Sequence, residues 1–192
     1  MAAAESAHIA HHVDPHSPER VRINRLGLWL FLASDALLFA LFAAARFYTN
    51  GTYRPEDLKQ VLGLGVTIIL LVSSLTAFRA ETSFQHGNVS HGRLMLLLTI
   101  LLGLGFVGGV ITEWNLAEFV PSEGFGTSYF SMTGMHSFHV ITGIVFLIVI
   151  YVRSGRGHFS SGYTWPVSAV IIYWHFVDVV WVFFYPTLYL VK

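Results

Sequence analysis

The sequence predicts an all-α membrane protein: a bundle of five transmembrane helices, N-terminus inside and C-terminus outside. Two observations carry the fold class. Of 192 residues, 54% are hydrophobic and only 11% charged, where a soluble domain carries about 25% charge. The apolar residues also gather into five stretches, each near the roughly 20 residues that cross about 30 Å of hydrocarbon. A third observation sets the direction. Arg20, Arg22, Arg25, Arg79, Arg93, Arg153 and Arg156 fall on one side, and Arg46, Arg54, Lys59 and Lys192 on the other. The richer side faces inward by the positive-inside rule.

Residues 1–25 read as a polar tail holding His8, His11, His12 and His16. It lacks the continuous apolar core of a signal peptide. A histidine cluster can bind metal, but a solvated tail docking on a neighbour is the simpler expectation. Residues 26–192 form one transmembrane domain. Its spans run at about 26–48, 58–78, 94–112, 129–152 and 165–190, and each must be helical because lipid offers the backbone no hydrogen bonds. Asn50-Gly51 and Gly155-Arg156-Gly157 mark turns between them. No link is long enough for a second domain, and no internal repeat suggests the inverted halves of a transporter.

Composition excludes several chemistries. The chain has no cysteine, which removes disulfides, c-type haem attachment, iron–sulfur clusters and copper–thiolate sites. Any metal held by this chain alone would need histidine. A net charge of zero gives no general attraction to nucleic acid.

Ionisable residues inside the spans are the functional candidates, since burying them in a membrane is costly. The first span carries Asp35 about nine residues from its inner end, roughly 14 Å deep. A central Asp costs about 2.5–3.5 kcal/mol, against roughly 3–7 kcal/mol returned by the span's eleven Leu and Phe residues. The helix still inserts. Asp35 is either a proton-handling carboxyl or an acid hydrogen-bonded across a helix contact. The fourth span carries His136 and His139, three apart on one face, and the fifth carries His175 and Asp178 at the same spacing. Counting rise places Asp35, His139, His175 and Asp178 in one layer. Facing histidines could hold a b-type haem. A polar network joining the fourth and fifth spans is the reading favoured here.

Two further features are ordinary. Gly105 and Gly109 form a small-residue step that lets another helix approach. Glu113 ends the third span at the outer interface and reads as a plain interfacial charge. Arg153 and Arg156 sit at the depth of inner-leaflet phosphates, as orientation anchors or as a lipid-headgroup site.

Three motifs together resemble subunit III of the haem–copper terminal oxidases, the cytochrome c oxidase and quinol oxidase group. They are LFLASDALLF in the first span, GMHSFHVITG in the fourth and YWHFVDVVWVFFY in the fifth, with RSGRGHF after the fourth. The resemblance covers residues 22–189. It implies an accessory subunit without catalytic residues, cofactors or metal of its own, in a complex that reduces dioxygen to water and translocates protons. Haem and copper would reside in the partner catalytic subunits; subunit I, other oxidase subunits and membrane phospholipid would be its neighbours. It also implies support of proton uptake, and residence in a bacterial plasma membrane or an equivalent energy-coupling membrane. The family's in-membrane glutamate corresponds to Asp35, one methylene shorter, and its headgroup-binding basic residues to Arg153 and Arg156. Many members have seven helices; this chain resembles the last five. A subunit III-like protein of nitric oxide reductase is an alternative within the family, and a b-haem quinol oxidoreductase one outside it.

Overall fold

The protein is described by a computed structural model covering residues 18–53, 55, 60–122, 124–157, 159 and 164–191. The histidines His8, His11, His12 and His16 of the tail lie outside the described residues. Five helices follow in order: α1 (Pro18–Asn50), α2 (Gln60–Gln85), α3 (Val89–Leu116), α4 (Gly124–Gly155) and α5 (Trp165–Tyr185). A π-helical turn, Pro186–Leu190, closes the chain. All five helices are long and apolar enough to cross a membrane.

The helices run past the apolar stretches because hydrocarbon thickness sets the stretch while capping chemistry sets the helix end. Helix α1 opens on Pro18, with Glu19 in its first turn. Proline suits a first helical position and an acid suits the positive end of the helix dipole. Residues 18–25, read from the sequence as part of the polar tail, are therefore helical. Between α2 and α3 the chain turns at Gly87, whose φ of 77° favours glycine. Asn88 then caps α3 by accepting a bond from the His91 N–H.

Helices consecutive in the chain run antiparallel, and α1 and α5 pack parallel, Phe31 against Tyr173 and Phe39 against Phe184. Along the α2–α3 contact Val66 meets Gly109, Ile69 meets Gly105 and the Phe84 ring lies on Gly92. Thr76 and Thr99 share a hydrogen bond at 2.8 Å midway. Helix α5 sits in the middle, touching α1, α2 and α4, with Trp174 and Trp181 fully buried. The Trp174 ring fills the gap left by Gly103 on α3 and Gly143 on α4. Helix α1 packs against α4 and α5 at the edge. The closing turn folds back on α2: the Tyr189 ring covers Gly63, and Gln60 donates to the Tyr189 carbonyl at 2.8 Å. Leu37, Leu41, Leu75 and Phe183 are among the large apolar side chains left outside, as a lipid-facing surface requires.

Two glycines of α3 separate packing from mere flexibility. A Cβ at position 103 would stand 2.7 Å from the Trp174 ring, whereas one at 108 meets nothing within 4 Å. Gly103→Val should cost about 1–3 kcal/mol through overpacking, and Gly108→Val less than about 0.5 kcal/mol, as outward-facing changes do. Thermal unfolding of the two variants in detergent checks the difference.

Candidate functional site

Asp35 lies on the face of α1 that carries Leu32 and Phe39, three residues before and four after it, both buried. That face meets α4, and the carboxyl finds His139. The His139 Nε2 and Asp35 Oδ2 stand 3.4 Å apart, with side chains 9% and 14% exposed. This is within ion-pair distance and slightly longer than a hydrogen bond. The other ring nitrogen, Nδ1, lies 2.9 Å from the Met135 carbonyl. A carbonyl only accepts, so Nδ1 carries a hydrogen. Nε2 is then left to meet Asp35, either accepting from the acid or, as an imidazolium, donating to the carboxylate.

Aromatic rings enclose the pair. The Phe39 ring meets the His139 ring edge-on at 4.7 Å, and Phe138 does so at 5.6 Å. Tyr173 on α5 donates to the His139 carbonyl at 3.2 Å, and Phe31 of α1 stacks on Tyr173. Helices α1 and α4 thus fix the imidazole, and α5 holds the backbone that carries it.

His136 faces elsewhere. Its Nε2 donates to the Val177 carbonyl at 3.0 Å, and its ring lies against Phe106 and Trp181. This bond and that of Tyr173 join α4 to α5. His175 and Asp178 point to α2 instead. Ser74 and the His175 Nδ1 are 2.7 Å apart, while the Asp178 Oδ2 lies 3.9 Å from the same nitrogen. Both Asp178 carboxyl oxygens are buried without a hydrogen-bond partner; a proton or a water completes such a group. The four in-span residues on α4 and α5 therefore occupy separate faces and do not form one chain of contacts. Arg153 and Arg156 are both exposed at the end of α4.

Glu113 corrects the sequence reading. It is 5% exposed and not a plain interfacial charge. Its Oε2 accepts from the Tyr189 hydroxyl at 2.7 Å and the Tyr129 hydroxyl at 3.2 Å. The two hydroxyls are themselves 3.2 Å apart. The reason is the returning C-terminal turn, which closes over the end of α3 and removes it from the surface. Tyr129 and Tyr189 each offer a hydroxyl at the tip of an apolar ring, the feature that fits them here. Arg46, near the end of α1, is likewise completely buried. Among the described residues no group of three or more His, Asp or Glu side chains is arranged to hold a metal ion.

Comparison with known proteins agrees with this architecture. The family model for cytochrome c oxidase subunit III matches residues 5–192. Cytochrome c oxidase subunit 3 of Rattus norvegicus is 36% identical over 187 residues, covering 91% of this chain and 72% of the relative. The proteins of the same name from Syncerus caffer and Gazella leptoceros are 35% identical over the same length.

The tyrosine–carboxyl cluster supplies a direct test of what holds the C-terminal turn to α3 and α4. Tyr189→Phe removes a bond to a buried carboxyl and should cost about 1–3 kcal/mol. Tyr185 stacks on Tyr189 and is only partly buried, so Tyr185→Phe should cost less than about 0.5 kcal/mol. Unfolding of both variants by denaturant in detergent checks this.

Proposed function

The chain belongs to the cytochrome c oxidase subunit III family, and from that premise we propose that it is the accessory membrane subunit of a proton-translocating terminal oxidase. It binds the catalytic subunit, carries no redox centre of its own and supports proton supply to the site where dioxygen is reduced. Its place is the plasma membrane of a bacterium or an equivalent energy-coupling membrane, N-terminus inside. Arg153 and Arg156 then lie at the inner leaflet, where phospholipid headgroups sit.

One observation carries the proton reading: the Asp35 Oδ2 and the His139 Nε2, a carboxyl oxygen and an imidazole nitrogen, stand 3.4 Å apart. Such a pair exchanges a proton with little rearrangement, because the imidazole is already fixed by Met135 and by its aromatic walls. The pair lies at the α1–α4 contact, on the outermost helix of the bundle. A neighbouring subunit or a water at that edge would reach it without crossing the core. His136 and His175 serve as internal polar contacts that fix α5 against α4 and α2.

Two measurements test this. A tagged chain solubilised in mild detergent should bring down a haem–copper catalytic subunit, read by its absorption spectrum. Recovery of the chain without one would contradict the accessory role. Asp35→Asn keeps the shape of the carboxyl and removes its ability to take a proton. In the assembled oxidase it should lower oxygen consumption by roughly threefold to tenfold, about 0.7–1.4 kcal/mol on the barrier, at unchanged subunit content. Unchanged turnover across pH would reject the proton role and leave the family assignment standing.

A further inference from the structure

We propose that the groove between the end of α1 and the start of α4 is an anion site built to take a phosphate group, with Arg46 as its cation. The groove encloses about 290 Å³ and is lined by Arg46, Thr49, Gly124, Thr127, Ser128 and Ser131, among others.

Arg46 is the reason. It is 0% exposed, and no carboxylate among the described residues lies within ion-pair distance of it. Its Nη1 donates to the Gly51 carbonyl at 2.6 Å and its Nη2 to the Tyr53 carbonyl at 2.9 Å. A guanidinium has five N–H donors, so three remain, and Nε is buried without any acceptor. The Phe125 ring, 5.2 Å from the guanidinium carbon, offers only the weak attraction of a π face. A buried cation without a counter-charge is costly, and an anion in the groove beside it removes that cost.

The rest of the wall has matching chemistry. Helix α4 begins here, and its positive end favours negative charge. Asn50 donates to the Thr49 and Ser128 hydroxyl oxygens at 2.8 and 2.7 Å, which orients both. Thr49 gives its hydrogen to the Ala45 carbonyl at 2.8 Å, so Ser128 is the donor in the 3.3 Å contact between the two hydroxyls. Toward the middle of the membrane the groove continues over Phe42 and Met132, an apolar floor suited to the carbon skeleton that a phosphodiester carries. The site is at the opposite end of α4 from Arg153 and Arg156, and it depends on no particular reaction of the assembly. A lipid headgroup and a free phosphate present the same chemistry to it.

The test uses the intact membrane complex that carries this chain, delipidated in detergent and reloaded. Native mass spectrometry counts phosphatidylglycerol retained from mixed micelles, and radiolabelled inorganic phosphate is titrated in parallel. Arg46→Gln removes the cation. Ser131→Leu fills the groove from its exposed rim and leaves the guanidinium in place. Each variant should lose one ligand held by the parent, or bind it about tenfold more weakly. Loss of phosphatidylglycerol assigns the site to lipid, and loss of inorganic phosphate assigns it to a free anion. Parental binding of both probes by both variants would overturn the proposal and leave Arg46 as a clasp for the loop that follows α1. Loss in Arg46→Gln with Ser131→Leu unaffected would also overturn it, because the ligand would then lie outside the groove. If Arg46→Gln does not assemble, Ser131→Leu decides alone.

Discussion

Trp174 and Trp181 stand seven residues apart on α5, two turns along one face, and each donates its indole N–H to a hydroxyl of α2. Trp174 reaches Ser73 at 3.1 Å and Trp181 reaches Thr67 at 2.9 Å. Each hydroxyl in turn donates to a carbonyl of its own helix, Leu70 or Gly63. No water is present in hydrocarbon to replace these bonds, so a rotation of α5 would strand two donors at once. The same indoles occupy space that other helices leave open. Trp174 enters the notch of Gly103 and Gly143, and Trp181 packs against Phe106 and His136. One helix thereby sets the spacing of three others.

This arrangement explains how polar groups persist in so apolar a bundle. His136 can reach the Val177 carbonyl because α4 is held at a fixed distance from α5. His139, one turn on, is then presented to α1, where Asp35 meets it. The Asp35–His139 pair therefore lies where the edge helix α1 meets the bundle, positioned by the packing of its central helix. Glu113, Tyr129 and Tyr189 do similar work at one end of the bundle, tying the closing turn to α3 and α4.

The five helices were legible because an apolar stretch of membrane length has few alternatives. The meeting of Asp35 and His139 was approachable for a related reason: rise per residue converts position into depth, and both residues fall at one depth. Depth does not give azimuth, however. His175 and Asp178 share the layer but face α2, and the partner of His175 is Ser74, an unremarkable hydroxyl with no pattern around it. Glu113 was misread because its burial comes from Tyr189, 76 residues later, in the π-helical turn at the end of the last span. The burial of Arg46 was not legible, because a basic residue near the end of an apolar helix ordinarily reaches outward to water. Here the loop after α1 folds over it and takes its donors.

The central claim is that the indole–hydroxyl bonds of α5 to α2 set the bundle, and a double-mutant cycle tests it most directly. Trp181→Phe removes the donor with the ring retained, and Thr67→Val removes the acceptor with the shape retained. Unfolding in detergent of the two variants and their combination should give a coupling of about 0.6–1.7 kcal/mol, the span of side-chain hydrogen bonds between membrane helices. Additive losses, with coupling below about 0.3 kcal/mol, would contradict it.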